Sequence, residues 1–140
     1  MKIRNIVESD LEIINLFLND MSMLPLDKDS ISLNHRYLKV LECNEKPIGL
    51  LVFNIIIDEA EIEAIYVIPE ERKKGFSKAL IDYLIEECIN KKCAKIFLEV
   101  NENNDVAISL YKRYGFKIIS IRKKYYGNDD ALIMCKELGD

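Results

Sequence analysis

Three strand patterns follow one another between residues 35 and 68 with no helix between them, and this run constrains the fold more than any other feature. The first two are joined at the turn signal "NEKP" and predict a hairpin, and the second, "IGLLVFNIII", is typical of a largely buried strand. The third, "AEIEAIYVI", alternates, so Ile62 and Tyr66 face one side while Glu61 and Glu63 face the other. The run therefore predicts a sheet in which neighbouring strands are at least partly antiparallel.

The hydrophobic period changes after the third strand pattern, where a helix is predicted from Lys74 to about Asn90. Apolar residues recur there at i, i+4 spacing, which marks one face of a helix. This stripe consists of Phe76, Leu80, Leu84 and Cys88. Beyond it, "AKIFLEV" is typical of a strand, and "NDVAISLYKRYG" predicts a helix that stops at Gly115. The last two strand patterns, "FKIISIRKKYY" and "DALIMCKEL", are joined at "GND" and predict a hairpin.

Upstream of the three strand patterns, residues 2–7 predict a short strand, and residues 8–20 predict a helix with Ser9 as its N-cap. The loop "MSMLPLDKDSI" then leads into a second short helix. The predicted order of elements is βααβββαβαββ, which implies an α+β fold with a mixed sheet and helices packed on it. Because the chain has no Ser/Gly linker and no repeat, residues 1–140 are predicted to form one domain.

Charge and composition argue against several classes of protein. The net charge of −4 argues against a duplex nucleic-acid binder and is compatible with a cationic or amine partner. No apolar stretch of about 18 residues is present, so no transmembrane helix is expected, and "MKIRNIVESD" turns acidic too soon for a signal peptide. The four cysteines form no CxxC pair and no Cys/His metal spacing. We therefore expect a cytoplasmic protein with reduced cysteines, a monomer or weak dimer, with no metal, nucleic-acid or membrane partner.

Three cationic residues surround one glycine in "IPEERKKGFSKAL", at the junction between the third strand pattern and the following helix. A helix N-terminus already concentrates positive charge, so Arg72, Lys73 and Lys74 are unfavourable there unless an anion binds. Gly75 lets a bulky anion approach the backbone. The stretch therefore predicts a phosphate or diphosphate site, the alternative being a solvated basic turn. Its spacing differs from the nucleotide-binding patterns G-x-x-x-x-G-K-S/T and G-x-G-x-x-G.

The segment "RKKGFS", residues 72–77, resembles the Q/R-x-x-G-x-G/A acetyl-coenzyme A motif of the GNAT acetyltransferases, with Ser77 where the family prefers Gly or Ala. Over residues 59–137 the chain resembles one branch of that family, the bacterial ribosomal-protein-alanine N-acetyltransferases of the RimI type. The blocks that carry this likeness are "EAIYVIPEERKKGFSKAL", "IFLEVNENNDVAISLYKRYGF" and "RKKYYGNDDALIMCKEL". The usual aromatic-rich segment after the first helix is replaced by "MSMLPLDKDSI". The resemblance implies the GNAT fold, with a central mixed, mostly antiparallel sheet flanked by helices, and acetyl-CoA as co-substrate.

The resemblance also implies how acetyl-CoA is bound. Backbone groups of residues 65–67 would meet the pantetheine arm, and the amides of Lys73 through Lys78 would hold the diphosphate. Asn104, which opens the next helix, matches a coenzyme-contacting Asn of the family; it is equally suited to be a helix N-cap, and the two roles are compatible. The implied cofactor-binding residues are Ile65, Tyr66, Val67, Arg72, Lys73, Lys74, Gly75, Phe76, Ser77, Lys78 and Asn104.

Acetyl transfer to an amine needs a base for the amine, donors for the oxyanion and an acid for the departing thiolate. Strand alternation places Glu99 on the same face as Phe97, where a partly desolvated carboxylate is a candidate base; the alternative is an ordinary solvent-facing glutamate. The resemblance assigns the base to Glu99 and the acid to Tyr111. The alternatives are Glu63 as the base and simple core packing for Tyr111.

Four further residues concern the acceptor. Glu61 and Glu63 share a strand face and could hold a cationic N-terminus. Tyr125 and Tyr126 match paired tyrosines near the family's acceptor site, or else are ordinary strand aromatics. The resemblance implies direct acetyl transfer to a protein N-terminal amine, the alanine of a small-subunit ribosomal protein, with no acyl-enzyme. The alternatives are an acetyltransferase for a small free amine, such as a polyamine or amino sugar, and a non-catalytic acyl-CoA-binding module.

Overall fold

The computed structural model describes residues 1–139, which contain seven β-strands and three α-helices. The strands are β1 (Lys2–Asn5), β2 (Arg36–Cys43), β3 (Lys46–Ile56), β4 (Glu59–Val67), β5 (Lys95–Asn101), β6 (Lys117–Tyr126) and β7 (Asp129–Glu137). The helices are α1 (Leu11–Asp20), α2 (Phe76–Asn90) and α3 (Asp105–Arg113), and short 3₁₀ turns cover Glu8–Asp10, Lys28–Ser32 and Pro69–Glu71. The predicted order βααβββαβαββ is confirmed, with the turn Lys28–Ser32 as its second helix.

The strands are hydrogen-bonded in the order β1-β2-β3-β4-β5-β7-β6. The pairs β1–β2, β2–β3, β5–β7 and β6–β7 are antiparallel, and β4–β5 is parallel, so the predicted mixed, mostly antiparallel sheet is confirmed. The chain divides into two units. The first contains Met1–Asn54 and Glu63–Glu87, and the second contains Ile55–Ile62 and the described chain from Cys88 onward. Strand β4 passes through both, and the prediction of one domain stays a prediction.

The first unit has its core around α1. Helix α1 buries Ile14, Phe17 and Leu18, which recur at helical spacing, against apolar residues of β2, β3 and β4. The helix begins at Leu11, so the predicted N-cap at Ser9 is wrong. Ser9 lies inside a 3₁₀ turn, because the carboxylate of Asp10 accepts hydrogen bonds from the Val7 amide (2.8 Å) and from Arg4, and so fixes the turn before the helix.

The backbones of β3 and β4 come close together in this unit at Gly49. A Cβ built on Gly49 would lie 2.7 Å from the carbonyl oxygen of Tyr66 and 3.2 Å from Cβ of Leu41. Next to Gly49 on the same strand, the carbonyl of Ile48 accepts a hydrogen bond from the amide of Ile68 (2.9 Å). The absence of a side chain at position 49 therefore sets the distance between β3 and the end of β4.

The second unit is built on β5 and β7. Strand β5 alternates as predicted, with Ile96, Leu98 and Val100 buried and the residues between them half-buried. Its antiparallel pairing with β7 runs from Lys95–Glu137 to Asn101–Ala131. Helix α3 is followed by Gly115, whose φ of +90° ends the helix as the sequence predicts.

Strand β6 lies at the edge of this strand order and is exposed along its whole length. Its exposed apolar residues include Ile118, Ile119 and Ile121.

No helix within residues 1–139 combines the length and apolarity that a membrane crossing needs. The cysteines are free thiols, of which Cys43 is half-buried and the other three are buried. In the described part of the chain no three His, Cys, Asp or Glu side chains are grouped for a metal ion.

Candidate active site

The loop between β4 and α2 carries the cationic stretch. It starts with the 3₁₀ turn Pro69–Glu71, in which proline occupies a position where its missing N–H costs nothing. Two residues that follow have left-handed backbone, with φ of +64° at Lys73 and +88° at Gly75. Helix α2 begins at Phe76, and the Ala79 amide donates to the Gly75 carbonyl at 3.1 Å. The amides before Ala79 belong to the first turn, where helix geometry supplies no intrahelical acceptor.

The side chains of two cations in this loop are engaged locally. Arg72 Nε donates to the carbonyl oxygen of Val67 at 2.8 Å, and its guanidinium carbon lies 5.4 Å from the ring centre of Tyr66. Lys74 Nζ lies 3.1 Å from Glu71 Oε2. Lys73 is exposed. The geometry thus directs the Arg72 side chain back to β4, although the sequence groups it with the other two cations.

This loop fits a diphosphate. A Cβ built on Gly75 would meet no atom within 4 Å, so a ligand has open access to the backbone. The amides at the start of the 15-residue helix α2 supply donors and partial positive charge, and the exposed Lys73 and Lys78 add full charges. Ser77 and Phe76 are half-buried in the same turn. The residues present would hold the diphosphate of acetyl-CoA chiefly through backbone donors.

The predicted pantetheine segment, residues 65–67, closes strand β4. Tyr66 and Val67 are buried and Ile65 is half-buried. The parallel ladder between β4 and β5 pairs Glu59 with Lys95 and ends with Glu61 paired to Phe97, so residues 65–67 lie beyond it along the chain. A strand backbone beyond its ladder has donors and acceptors that a ligand can use. That residues 65–67 bind pantetheine stays a prediction.

Glu99 projects from the half-buried face of β5. Its side chain is 27% exposed, and its Oε1 lies 3.0 Å from Nη1 of Arg122 on β6. Arg122 also stacks on Tyr125, with 5.5 Å from its guanidinium carbon to the ring centre. Tyr125 and Tyr126 pack edge to face at 5.1 Å between ring centres. The structure therefore brings together the predicted Glu99, Tyr125 and Tyr126, with Arg122 between them.

Tyr126 is influenced electrostatically by the same carboxylate. Partial burial raises the pKa of Tyr126 above its ordinary value, and the negative charge of Glu99 raises it further. Arg122 was not among the predicted site residues. The segment "IRKKYY" offers three adjacent cations, and only the register between β6 and β7, which shifts between Arg122 and Tyr126, decides which one reaches Glu99. No signal in the sequence alone singles it out.

Glu63, the rival candidate base, is held by two partners in the first unit. Arg36 donates through Nε to both carboxylate oxygens (3.1 and 3.0 Å) and through Nη2 to Oε1 (2.8 Å), and Asn54 Nδ2 donates to Oε2 (3.2 Å). These contacts give the Glu63 carboxylate a structural role, because it ties β4 to Arg36 of β2 and Asn54 of β3. Glu61 is exposed on β4.

The two predicted residues on α3 differ in their surroundings. Asn104 is the N-cap, and its side-chain oxygen accepts a hydrogen bond from the Ala107 amide at 3.3 Å, so the capping role is confirmed. Tyr111 is buried, and its ring centre lies 5.6 Å from that of Phe116. Burial raises the pKa of Tyr111 to about 12. Its phenol therefore stays protonated at neutral pH.

Similarity to known proteins covers most of the chain. Residues 4–116 match the model of the acetyltransferase (GNAT) family. A ribosomal protein bS18 alanine N-acetyltransferase from Escherichia coli is 36% identical over 104 residues, which cover 71% of this chain and 70% of that protein.

Solved structures show the same likeness in three dimensions. The crystal structure of the ribosomal-protein-alanine N-acetyltransferase from Escherichia coli matches with a TM-score of 0.88 and 26% identity, over 99% of this chain and 94% of that one. A spermidine N-acetyltransferase from Vibrio cholerae matches with a TM-score of 0.85 at 22% identity, over 98% of this chain and 95% of that one. Because enzymes for a protein and for a polyamine share the fold, the fold leaves the acceptor open.

Proposed function

Since the chain belongs to the GNAT family and is an acetyltransferase, we propose that it transfers the acetyl group of acetyl-CoA to the N-terminal alanine of a small-subunit ribosomal protein. The observation that carries this proposal is the 36% identity, over 71% of the chain, with a relative named for that reaction. An acceptor of this kind is a cation before it reacts, which suits a protein with a net charge of −4. The reaction belongs to the cytoplasm, where ribosomal proteins are made.

The loop at the start of α2 is proposed to bind the co-substrate, with backbone amides of residues 73–78 on the diphosphate and residues 65–67 along the pantetheine arm. Bound there, acetyl-CoA supplies a thioester whose carbonyl carbon accepts the attacking amine. Asn104 is proposed to contact the coenzyme while it caps α3. Arg72 contributes through the loop backbone, because its side chain is bound to the carbonyl of Val67.

Glu99 is proposed as the general base. The acceptor amine arrives as an ammonium with a pKa of about 8, so removal of one proton at neutral pH needs only a modest base. Glu99 takes that proton, the neutral amine attacks the thioester carbonyl to form the new C–N bond, and the C–S bond breaks with the sulfur leaving as a thiolate. The second proton of the nitrogen passes to that thiolate or to solvent. Arg122, 3.0 Å from Glu99, holds the carboxylate in place. Tyr125 and Tyr126 lie beside it and are proposed to contact the acceptor backbone, while the exposed Glu61 offers a carboxylate for a cationic acceptor.

Tyr111 is proposed as the group that stabilises the departing sulfur. With its pKa raised to about 12 by burial, the phenol is a weaker acid than a thiol, whose ordinary pKa is about 8.5. Complete proton transfer to the thiolate is therefore uphill, and hydrogen-bond donation is the favoured contribution of its O–H. Its contact with Phe116 fixes the ring for that purpose.

The base is tested by comparing Glu99→Gln with the wild type on an N-terminal alanine peptide. We expect kcat to fall by about 100-fold or more, the usual effect of removing a general base, with the calorimetric Kd for acetyl-CoA within about twofold of wild type. Glu86→Gln, an exposed carboxylate on α2, is the matched control. If Glu63→Gln lowers kcat and Glu99→Gln does not, the assignment of the base is wrong.

The acceptor is tested separately by a mass-spectrometric search for acetylated N-termini that vanish when the gene is removed. Loss of acetylation on one ribosomal-protein alanine supports the proposal. Purified enzyme that acetylates polyamines or amino sugars but no N-terminal peptide would show that the acceptor is a small amine. Tight acetyl-CoA binding without transfer to any acceptor would indicate a binding module.

A further inference from the structure

Tyr66 is the centre of a cluster that joins α1 to the loop before α2. Its ring is buried and lies 5.2 Å from the ring of Phe17. Its hydroxyl donates a hydrogen bond to Oδ2 of Asp20, the last residue of α1. The guanidinium carbon of Arg72 lies 5.4 Å from its ring centre, within the range of a cation–π contact. Within the first unit, the carboxylate of Asp20, the phenol of Tyr66 and the guanidinium of Arg72 therefore form a chain of contacts.

The position of Asp20 is unfavourable unless its carboxylate makes a compensating interaction. A carboxylate in the last turn of a helix meets the negative end of the helix dipole. Helix α1 has no basic residue in its last turn to offset it. The contact with Tyr66 supplies such an interaction, because a buried phenol without a partner carries a desolvation penalty. Burial, together with the charge of Asp20, raises the pKa of Tyr66 above its ordinary value, so the phenol remains a hydrogen-bond donor at neutral pH.

Arg72 transmits this arrangement to the loop. It is held twice, by the face of Tyr66 and by the carbonyl of Val67, which accepts from Nε at 2.8 Å. The next residue, Lys73, has a φ of +64°, which a residue other than glycine adopts only when its surroundings impose it. Gly75, with a φ of +88°, follows two residues later. A fixed Arg72 side chain therefore sets the starting direction of the left-handed turn that presents the amides.

We propose that Asp20 is a positioning residue for coenzyme binding. It orients Tyr66, Tyr66 and the carbonyl of Val67 hold Arg72, and Arg72 fixes the backbone from Lys73 to Gly75 in the shape that receives a diphosphate. The proposal rests on the function proposed above, in which this loop binds acetyl-CoA. It gives the cationic side chain of Arg72 a structural task in place of direct contact with the anion.

The direct test is calorimetry of the full-length protein with coenzyme A. Asp20→Ala is expected to raise the Kd for coenzyme A about fivefold, which corresponds to the loss of one net hydrogen bond. Asp20→Asn keeps an acceptor for the phenol, so we expect it to recover part of the lost affinity. Tyr66→Phe should raise the Kd to a similar degree. The double variant with Asp20→Ala should raise it no further, because both changes break the same hydrogen bond. Glu12→Gln, an exposed acid on the same helix, is the matched control.

A second measurement separates positioning from general damage. Catalytic efficiency, kcat/KM, is compared for acetyl-CoA and for S-acetylpantetheine, which has the thioester and no diphosphate. Asp20→Ala should lower kcat/KM for acetyl-CoA by about fivefold and leave that for S-acetylpantetheine within about twofold. An equal fall with both donors, or an unchanged Kd for coenzyme A, would overturn the role of Asp20. A wild-type protein that gives no binding heat with coenzyme A would instead overturn the proposed function.

Discussion

At the scale of single residues, Gly75 couples backbone conformation to ligand access. Its φ of +88° is one that residues with a side chain adopt at a cost of about 1–2 kcal/mol. A Cβ there would meet no protein atom within 4 Å, so the space in front of it is free for a ligand. The left-handed backbone and the access of a ligand to the amides therefore both depend on glycine at position 75, and one variant can test both.

Gly75→Ala is expected to lower the free energy of unfolding by about 1 kcal/mol through strain and to weaken acetyl-CoA binding by about tenfold, since the added methyl group occupies the approach to the amides. Gly127→Ala is the matched control, with a φ of +70° and equally open surroundings in the β6–β7 turn. Urea unfolding and calorimetry on both variants give the comparison. Equal Kd values for the two variants would show that the loop at Gly75 does not bind the coenzyme.

The residue scale is also where the sequence was least informative. Glu99 was predicted because strand alternation and the family motif agree on it, and the structure places it beside the two predicted tyrosines. Arg122 was not predicted, because its contact with Glu99 depends on the register of β6. The back-folded side chain of Arg72 was not predicted either, because its partner Tyr66 is positioned by Asp20, which lies 46 positions earlier.

At the scale of elements, the contact of β3 with the end of β4 connects strand packing to the β4–α2 loop, which is proposed to bind the coenzyme. Gly49 lies under the carbonyl of Tyr66, the residue that Asp20 and Arg72 both contact. Main-chain atoms have little freedom to move aside when a side chain is added, so extra volume at position 49 must displace a strand.

Gly49→Ala is therefore expected to lower the free energy of unfolding by about 1–3 kcal/mol, because its Cβ would lie 2.7 Å from the Tyr66 oxygen. Displacement of Tyr66 should also weaken the binding of acetyl-CoA. Denaturant midpoints measure the first effect and calorimetry the second, with Gly139→Ala, which has open surroundings, as the control. A variant as stable as wild type would show that β3 and β4 yield more easily than their backbone contact indicates.

The elements themselves were predictable because each has its own hydrophobic period. The stripe of α2 is buried at Leu80, Leu84 and Cys88, and β5 alternates as its sequence indicates. The start of α1 was missed because the deciding contact, between Asp10 and Arg4, joins the helix entrance to a strand. Local propensity favours a serine N-cap, and it gives way when a carboxylate next to it gains a charged partner.

At the scale of the whole molecule, Asp10 ties stability to pH. Asp10 is 6% exposed, and its carboxylate receives two hydrogen bonds from Arg4, at 2.8 and 3.0 Å. These bonds, helped by the Val7 amide, hold the pKa of Asp10 below its ordinary value. The folded state therefore binds this proton less readily than the unfolded state, in which the pKa is about 3.9. The resulting stabilisation is complete above that value and is lost as the pH falls through the lower, folded-state pKa.

Asp10→Asn is expected to lower the free energy of unfolding at pH 7 by about 2 kcal/mol, the range for a hydrogen bond to a charged group. On acidification to pH 3 the wild type should lose more stability than the variant, because the variant has no proton to gain at this position. Urea unfolding of both proteins at the two pH values measures the difference. Equal losses for the two proteins would mean that other carboxylates govern the acid response.

The open edge of β6 has a practical consequence for anyone who concentrates this protein. Three exposed isoleucines and an unpaired strand backbone invite the same strand of a second copy, and the cationic Lys117 and Lys124 repel it. Dissolved salt shortens the reach of that repulsion, from about 10 Å at 0.1 M to about 3 Å at 1 M. Storage in concentrated ammonium sulfate would therefore screen the charge repulsion between copies and favour their association, whereas a buffer of low ionic strength would preserve that repulsion.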